Sequence, residues 1–324
     1  MSGAVRTGDN GIVRLEILVL NRIYAPTLAA LERDYTVHKL WLTSDRGKLL
    51  REIGGRVRAV VTTSVTGFRR EQFDEFPKLE LIACFGIGHS AIDIAAATQR
   101  GVIVANTPDS ISDSVADLAL GLMIGVMRRI CETDRFVRAR KWTESLPPLG
   151  TDLSGKTCGI VGFGKIGKAV ADRVPVFGMS ACYHGPRRKA GVDLEYYRDV
   201  EALARDSDCL VVTCPATPET RGLIDGRVLN ALGPTGYVIN VARGPIVDEQ
   251  ALIAALQGHE IAGAGLDVYW DEPNVPVALL EMDNVVLAPH IGSSTLEIRE
   301  QRSAHLLENV SAFFAGRAVP HRLN

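Results

Sequence analysis

Three short segments of the chain each carry a candidate reacting residue: Arg243 in Asn240-Val241-Ala242-Arg243-Gly244-Pro245, Glu272 in Gly265-Leu266-Asp267-Val268-Tyr269-Trp270-Asp271-Glu272-Pro273, and His290 in Ala288-Pro289-His290-Ile291-Gly292. Their chemistry is complementary. An arginine can hold a 2-oxo acid by its carboxylate and polarise the ketone, while a histidine delivers the proton that must reach oxygen as hydride reaches carbon. A glutamate on the other imidazole nitrogen would fix the tautomer and favour the protonated acid. Singly, these residues read as a surface charge, a solvated acid and a satisfied loop histidine. Each segment follows directly on an apolar, strand-like run, and together the three residues read as one reacting constellation.

A hydride needs a carrier, and Thr157-Cys158-Gly159-Ile160-Val161-Gly162-Phe163-Gly164-Lys165-Ile166-Gly167-Lys168 offers a site for one: an apolar strand, Gly-x-Gly-x-x-Gly, then a helix-compatible run. Gly162 can take the angles of the tight turn, Gly164 lets the main chain approach a pyrophosphate, and Gly167 lets the helix pack closely on the strand. The N–H groups at the helix start then face the anion. In the NAD form of this motif a carboxylate about twenty residues on binds the ribose 2′-hydroxyl. Here the second strand ends in Ala181-Cys182-Tyr183-His184-Gly185-Pro186-Arg187-Arg188-Lys189, and the first acid beyond it is Asp193. The arginines at 187 and 188 can fork onto a phosphate, so the expected cofactor is NADP(H) rather than NAD(H).

The elements that must position these residues follow a parallel α/β pattern. Apolar runs at 15–20, 59–61, 79–84 and 102–105 alternate with helix-patterned segments, and a second series runs through 158–161, 180–183, 209–214, 237–240, 261–266 and 285–288. The second series predicts a six-stranded Rossmann sheet. Groups at the carboxyl ends of such strands converge on one crevice, which would gather all four segments. Between the series, 112–129 has Ala, Leu, Gly and Met at helical spacing and predicts one buried helix that links domains or packs on another subunit, with Met123 and Met127 in the core. A last helix over about 295–314 is expected to return to the first domain and make it discontinuous, as 1–106 plus 295–324, with 107–294 as the cofactor domain.

With 324 residues, 46% of them hydrophobic, the chain can bury the cores of two domains. Net charge is −2 and the basic residues are dispersed outside Arg187-Arg188-Lys189, which points away from nucleic-acid and membrane surfaces. Residues 1–11 have no apolar leader region and read as a flexible tail, no apolar run reaches a membrane span, and the expected location is cytoplasmic. The six cysteines (Cys84, Cys131, Cys158, Cys182, Cys209, Cys214) have no C-x-x-C pairing, and most sit in apolar runs as small hydrophobes, so neither disulfides nor a metal site are expected.

On the glycine motif, the Arg243 segment, Gly265-Leu266-Asp267-Val268 with Glu272-Pro273, and Pro289-His290-Ile291-Gly292, the chain resembles the D-isomer specific 2-hydroxyacid dehydrogenase family over nearly its whole length. The resemblance implies two Rossmann-like domains with doubly wound parallel sheets, the N-terminal one flavodoxin-like, and an active site in the interdomain cleft. It implies a catalytic trio of Arg243, Glu272 and His290, and Asp267 at the nicotinamide carboxamide. Phe85-Gly86-Ile87-Gly88 is similar to the family loop whose backbone holds the substrate carboxylate, with Ile87 and Gly88 as donors, and Ser64 to Gly67 and the Trp142 region would shape the side-chain pocket. Cofactor contacts would come from Gly162, Phe163, Gly164, Lys165, Ile166, Gly167, His184, Gly185, Arg187, Arg188, Cys214, Pro215, Thr220, Val241, Ala242, Arg243, Asp267, His290 and Gly292.

Asn106-Thr107-Pro108-Asp109, Val115-Ala116-Asp117-Leu118-Ala119 and Arg128-Arg129-Ile130-Cys131-Glu132 look most like the glyoxylate/hydroxypyruvate reductase and plant-type hydroxyphenylpyruvate reductase branch, which usually prefers NADPH. The implied activity is reduction of a small 2-oxo acid to the D-2-hydroxy acid by a homodimer, with 112–129 at the two-fold contact. Trp142 would pack locally or reach a partner's pocket. Two positions depart from the pattern: Pro186 stands where the branch commonly has arginine, and Ser90, after His89, stands where the family tends to have aspartate. His89 is read as a rim residue. Rival readings on the same scaffold are an aryl-pyruvate reductase, an NAD-dependent phosphoglycerate dehydrogenase, which the basic strand tip and the lack of room for a regulatory domain disfavour, and a formate dehydrogenase, which carries glutamine at the Glu272 position. A corepressor-like nucleotide sensor is the rival outside the enzymes.

Overall fold

The computed structural model describes residues 4–6, 12–108 and 111–324. Asp109 and most of the 1–11 segment lie outside the described residues. The chain divides into two compact units, residues 1–110 with 296–324, and residues 111–295.

In the first unit a short antiparallel pair, β1 (Ala4–Arg6) and β2 (Ile12–Arg14), precedes a five-stranded parallel sheet. Its strands are β3 (Glu16–Val19), β4 (Thr36–Lys39), β5 (Ala59–Thr63), β6 (Leu81–Phe85) and β7 (Ile103–Ala105), in the order β4-β3-β5-β6-β7. That is the flavodoxin order, 2-1-3-4-5. Strands covered on both faces read as continuous apolar runs, and Ile17, Leu18, Val60, Val61, Leu81 and Ile82 are fully buried. The Leu296–Phe314 helix belongs to this unit and packs Leu306 and Val310 into the cluster that holds Ile17, Val61 and Ala83.

The second unit has a seven-stranded parallel sheet rather than six strands. Its members are β8 (Thr157–Val161), β9 (Ser180–His184), β10 (Glu195–Tyr197), β11 (Cys209–Val212), β12 (Tyr237–Asn240), β13 (Gly263–Leu266) and β14 (Val285–Leu287), in the order β10-β9-β8-β11-β12-β13-β14. The sequence pattern misses β10, and β4 in the first sheet, for one reason: both are short edge strands with half-exposed polar residues, so no apolar run marks them. The order reverses between β8 and β11, which is where an open α/β sheet forms its ligand crevice.

The 112–129 helix divides in two. Ser112–Met127 is helical, Arg129 takes a left-handed conformation (φ 54°), and Ile130–Arg138 forms a second helix. Met123 and Met127 are fully buried, and the first helix lies on its own unit's sheet, with Leu122 against Gly265 and Gly125 against Val286. All six cysteines are free thiols; five are buried and Cys131 is exposed. Among the described residues no group of His, Cys, Asp and Glu could hold a metal ion, and no helix is long and apolar enough to cross a membrane.

Candidate active site

The glycine turn is shaped by what lies beside it. At Gly162 the backbone is left-handed (φ 99°), and a Cβ would fall 2.6 Å from the Cys214 main chain, so only glycine fits. Thr213 Oγ1 donates to Gly162 O at 2.6 Å and fixes the turn against the exit of β11. Gly167 sits over the Gly162 carbonyl, where a side chain would collide. Gly164 is the opposite case, since nothing lies within 4 Å of its Cβ position and the main chain is left open. A cradle that a side chain would fill, between two glycines that neighbouring backbone demands, fits a dinucleotide pyrophosphate. Phe163 packs on Tyr183 with ring centroids 4.5 Å apart, Ile166 is half-buried and Lys165 is exposed.

The tip of β9 is pinned by aromatic hydroxyls. Tyr196 Oη donates to Gly185 O (3.0 Å), the Lys189 amide donates to Tyr183 Oη (2.8 Å), and His184 Nδ1 lies 3.1 Å from Tyr197 O. Beyond it Arg187, Arg188 and Lys189 are exposed, and among the described residues none of them is in an ion pair. Arg188 and Lys189 border an open hollow of about 590 Å³. In the loop after β11, Cys214 is buried and Thr220 Oγ1 closes onto Pro215 O at 2.7 Å.

At the exit of β12, Asn240 is 1% exposed, and its side chain builds the turn that carries Arg243. Oδ1 accepts from the Ala242 amide (3.1 Å) and Nδ2 donates to Arg243 O (3.2 Å). Val241 and Ala242 are buried, whereas Arg243 is exposed, with Nη1 donating to Ala242 O at 2.6 Å.

Asp267 directly follows β13 and is 1% exposed. Its Oδ1 accepts from the Ile291 amide (2.7 Å) and its Oδ2 from the Gly292 amide (2.9 Å). Burial pushes this carboxyl above its usual range, against the two amides, which favour the charged form. The residue expected at the nicotinamide carboxamide therefore clamps the loop after β14. That loop carries His290 in a left-handed conformation (φ 53°), and Ser114 Oγ donates to Gly292 O (2.6 Å) to close it. Glu272 Oε1 accepts from the Tyr269 amide (3.1 Å), which turns Oε2 to His290 Nδ1 at 2.6 Å. Glu272 and His290 are thus brought together. Arg243 bonds to neither among the described residues and stands at the exit of the adjacent strand.

In the first unit Phe85 ends β6 and Gly86 continues at φ 150°. Ser64 packs beneath the loop: a Cβ at Gly86 would collide with Ser64 Oγ, and one at Gly88 would lie 3.3 Å from Ser64 Cβ. Thr107 Oγ1 accepts from the Gly86 amide (2.8 Å), the Thr107 amide donates to Gly86 O (3.2 Å), and Asn106 Nδ2 donates to Ile87 O (2.9 Å). The Ile87 and Gly88 amides make no hydrogen bond among the described residues. His89 lies on the exposed rim, with Nδ1 3.4 Å from Ile87 O. The braces Asn106, Thr107, Asn240 and Tyr196 carry no charge by which the sequence alone marks them. The signal open to reading is a polar residue closing an apolar strand run, as at Asn240 and Asn106.

The doubly wound sheet, the glycine turn and the carboxylate–imidazole pair at the strand exits define a dinucleotide-dependent oxidoreductase. The chain belongs to the D-isomer specific 2-hydroxyacid dehydrogenase family, whose NAD binding domain matches residues 120–292. It is 40% identical over 289 residues to the glyoxylate/hydroxypyruvate reductase A of Arabidopsis thaliana, covering 89% of this chain and 92% of that one. It is 42% identical over 289 residues to the hydroxyphenylpyruvate reductase of Plectranthus scutellarioides, with the same coverage. Among solved structures, the NADPH-dependent glyoxylate/hydroxypyruvate reductase of Sinorhizobium meliloti, in complex with NADP and malonate, superposes with a TM-score of 0.80 at 35% identity over 96% of this chain and 97% of that one.

Proposed function

We propose that the protein reduces a small 2-oxo acid of the glyoxylate/hydroxypyruvate class to the D-2-hydroxy acid with NADPH, in the cytoplasm and as a homodimer. The observation that carries this reading is the 2.6 Å contact between Glu272 Oε2 and His290 Nδ1, in the same unit as a glycine turn left open at Gly164. Bound along that turn, a reduced nicotinamide dinucleotide supplies the hydride. Gly162 to Gly167 would line its pyrophosphate, Cys214, Pro215, Thr220, Val241 and Ala242 its nicotinamide half, and Arg187 and Arg188 its 2′-phosphate.

The chain's own residues do the rest. Glu272 accepts a hydrogen bond from Nδ1–H, which leaves His290 Nε2 to carry the transferable proton. His290 gives that proton to the ketone oxygen as charge develops there. Arg243 would hold the carboxylate, and the Ile87 and Gly88 amides, without partners among the described residues, are the further donors proposed for it. After turnover Glu272 stabilises the imidazole until a proton returns.

One observation favours a bulkier side chain. Beside Glu272 and His290 lies a cavity of about 240 Å³ walled by Pro273, Val275, Leu280 and Leu287, and such a surface suits an aryl pyruvate better than glyoxylate. Steady-state kinetics with glyoxylate, hydroxypyruvate and hydroxyphenylpyruvate, each with NADPH and NADH, decides the matter. Equal efficiency with both cofactors refutes the role of Arg187 and Arg188, and no turnover of any oxo acid refutes the enzyme. His290→Asn should lower kcat by about 10²–10⁴-fold, the contribution of a positioned acid.

A further inference from the structure

Trp270 lies in the chain between the clamp residue Asp267 and Glu272. Its indole Nε1 donates to Val247 O at 2.6 Å, at the far end of the turn that carries Arg243. The guanidinium of Arg221, at the end of the loop closed by Thr220, lies 4.5 Å from the indole centroid. The backbone repeats these ties. Gly222 N donates to Pro245 O (2.9 Å) and Ile224 N to Ile246 O (3.0 Å). Gly244 packs so closely that a Cβ there would lie 2.5 Å from the Trp270 amide nitrogen. The loops leaving β11, β12 and β13 therefore meet at one indole. The Tyr269 amide that orients Glu272 is the residue next to it.

We propose that Trp270, stacked by Arg221, is a positioning residue that sets the Glu272 carboxylate against the Arg243 turn and so holds His290 in its working orientation. This rests on the reading of Glu272, His290 and Arg243 given above. The indole ring alone is not enough. Its N–H ties the loop to the end of the Arg243 turn at Val247, and the cation–π contact ties it to the loop after β11 at Arg221. Trp270 is 37% exposed, so it contributes less to the core than to the registration of the loops.

The test compares Trp270→Phe, which keeps the ring and loses the donor, with Trp270→Ala, Arg221→Lys and Arg221→Gln. Trp270→Phe should lower kcat about tenfold, the rate equivalent of one net hydrogen bond, with oxo-acid KM and NADPH affinity, read by NADPH fluorescence, changed less than threefold. The pH profile of kcat should shift in the same variant, because Glu272 no longer holds its geometry on His290. Arg221→Lys should retain most of the kcat that Arg221→Gln loses. Hydrogen exchange should rise at 243–247 and 269–273 together in Trp270→Phe, and this readout does not depend on turnover. Wild-type kcat and pH profile in Trp270→Phe and Trp270→Ala overturn the proposal, as does a kcat loss that only tracks lost thermal stability. If the wild type turns over no 2-oxo acid, the functional reading fails by itself; coupled exchange at the two loops then still supports the positioning role, and unchanged exchange overturns it.

Discussion

Two strand-exit loops, one in each unit, are both rich in glycine, yet they need it for different reasons. At 162–167 the crowding comes from main chain: Cys214 backbone against Gly162, and Gly162 O against Gly167. At 86–88 it comes from one side chain, Ser64, and the loop is held from the other side by Asn106 and Thr107. The first loop is rigid by construction and leaves one open position, Gly164. The second is held by side-chain hydrogen bonds and leaves two amides, Ile87 and Gly88, without partners among the described residues. If the proposed roles hold, the backbone-crowded loop suits a large cofactor bound the same way in each turnover, and the side-chain-braced loop can be tuned to its substrate by small changes.

The largest break in this contrast is Gly162→Ala. Overpacking against Cys214 and strain at φ 99° should together cost roughly 3 kcal/mol or more and abolish cofactor binding, read by thermal melting and NADPH titration. Gly164→Ala, two residues on, should melt as the wild type, since nothing lies within 4 Å of its Cβ position, and lose about tenfold or more in cofactor affinity if the proposed pyrophosphate site is there. Equal melting losses in the two variants would remove the distinction. Gly86→Ala should raise oxo-acid KM about tenfold with NADPH affinity unchanged, and adding Ser64→Ala should restore part of it, since the clash is with Ser64 Oγ. Additive losses in that double variant would mean that Ser64 does not set the loop.

Much of this was readable in advance because backbone demand and charge leave strong marks. Glycines at 162, 164 and 167 and the charged residues after strands β12 to β14 are legible together, because each group directly follows an apolar, strand-like run. The bracing is not. Thr107 and Asn106 act across more than fifteen residues of sequence on Gly86 and Ile87, and β4 and β10 lack an apolar run. Asp267 shows the same limit: its type was legible, but its partners, the Ile291 and Gly292 amides, are set by the register of β13 on β14.

Smaller effects sharpen the comparison further. Thr107→Val takes away one of two acceptors of the Gly86 amide, the other being Cys84 O, and should cost about 1 kcal/mol of stability with a severalfold rise in oxo-acid KM and no change in cofactor affinity. The smallest concerns His321, whose carbonyl accepts from the Asn106 amide behind the same loop. Burial, and then the neighbouring His305, hold its imidazole below the usual histidine range. The unfolded chain therefore binds the proton more readily, and this contribution is present above about pH 6.5 and lost as pH falls through the folded value. His321→Gln should reduce the acid-side fall in Tm, with no effect on cofactor affinity.

The cysteines make the molecule convenient to observe. Burial pushes the thiols of Cys84, Cys182 and Cys214 up to about 11, and Cys158 and Cys209 are raised as well, so these five are shielded as well as weakly acidic. Cys131, on the Ile130–Arg138 helix, is the exposed one. A maleimide dye at neutral pH should therefore take up one equivalent per chain. That single attachment point gives a spectroscopic ruler on the native protein without engineering any thiol away.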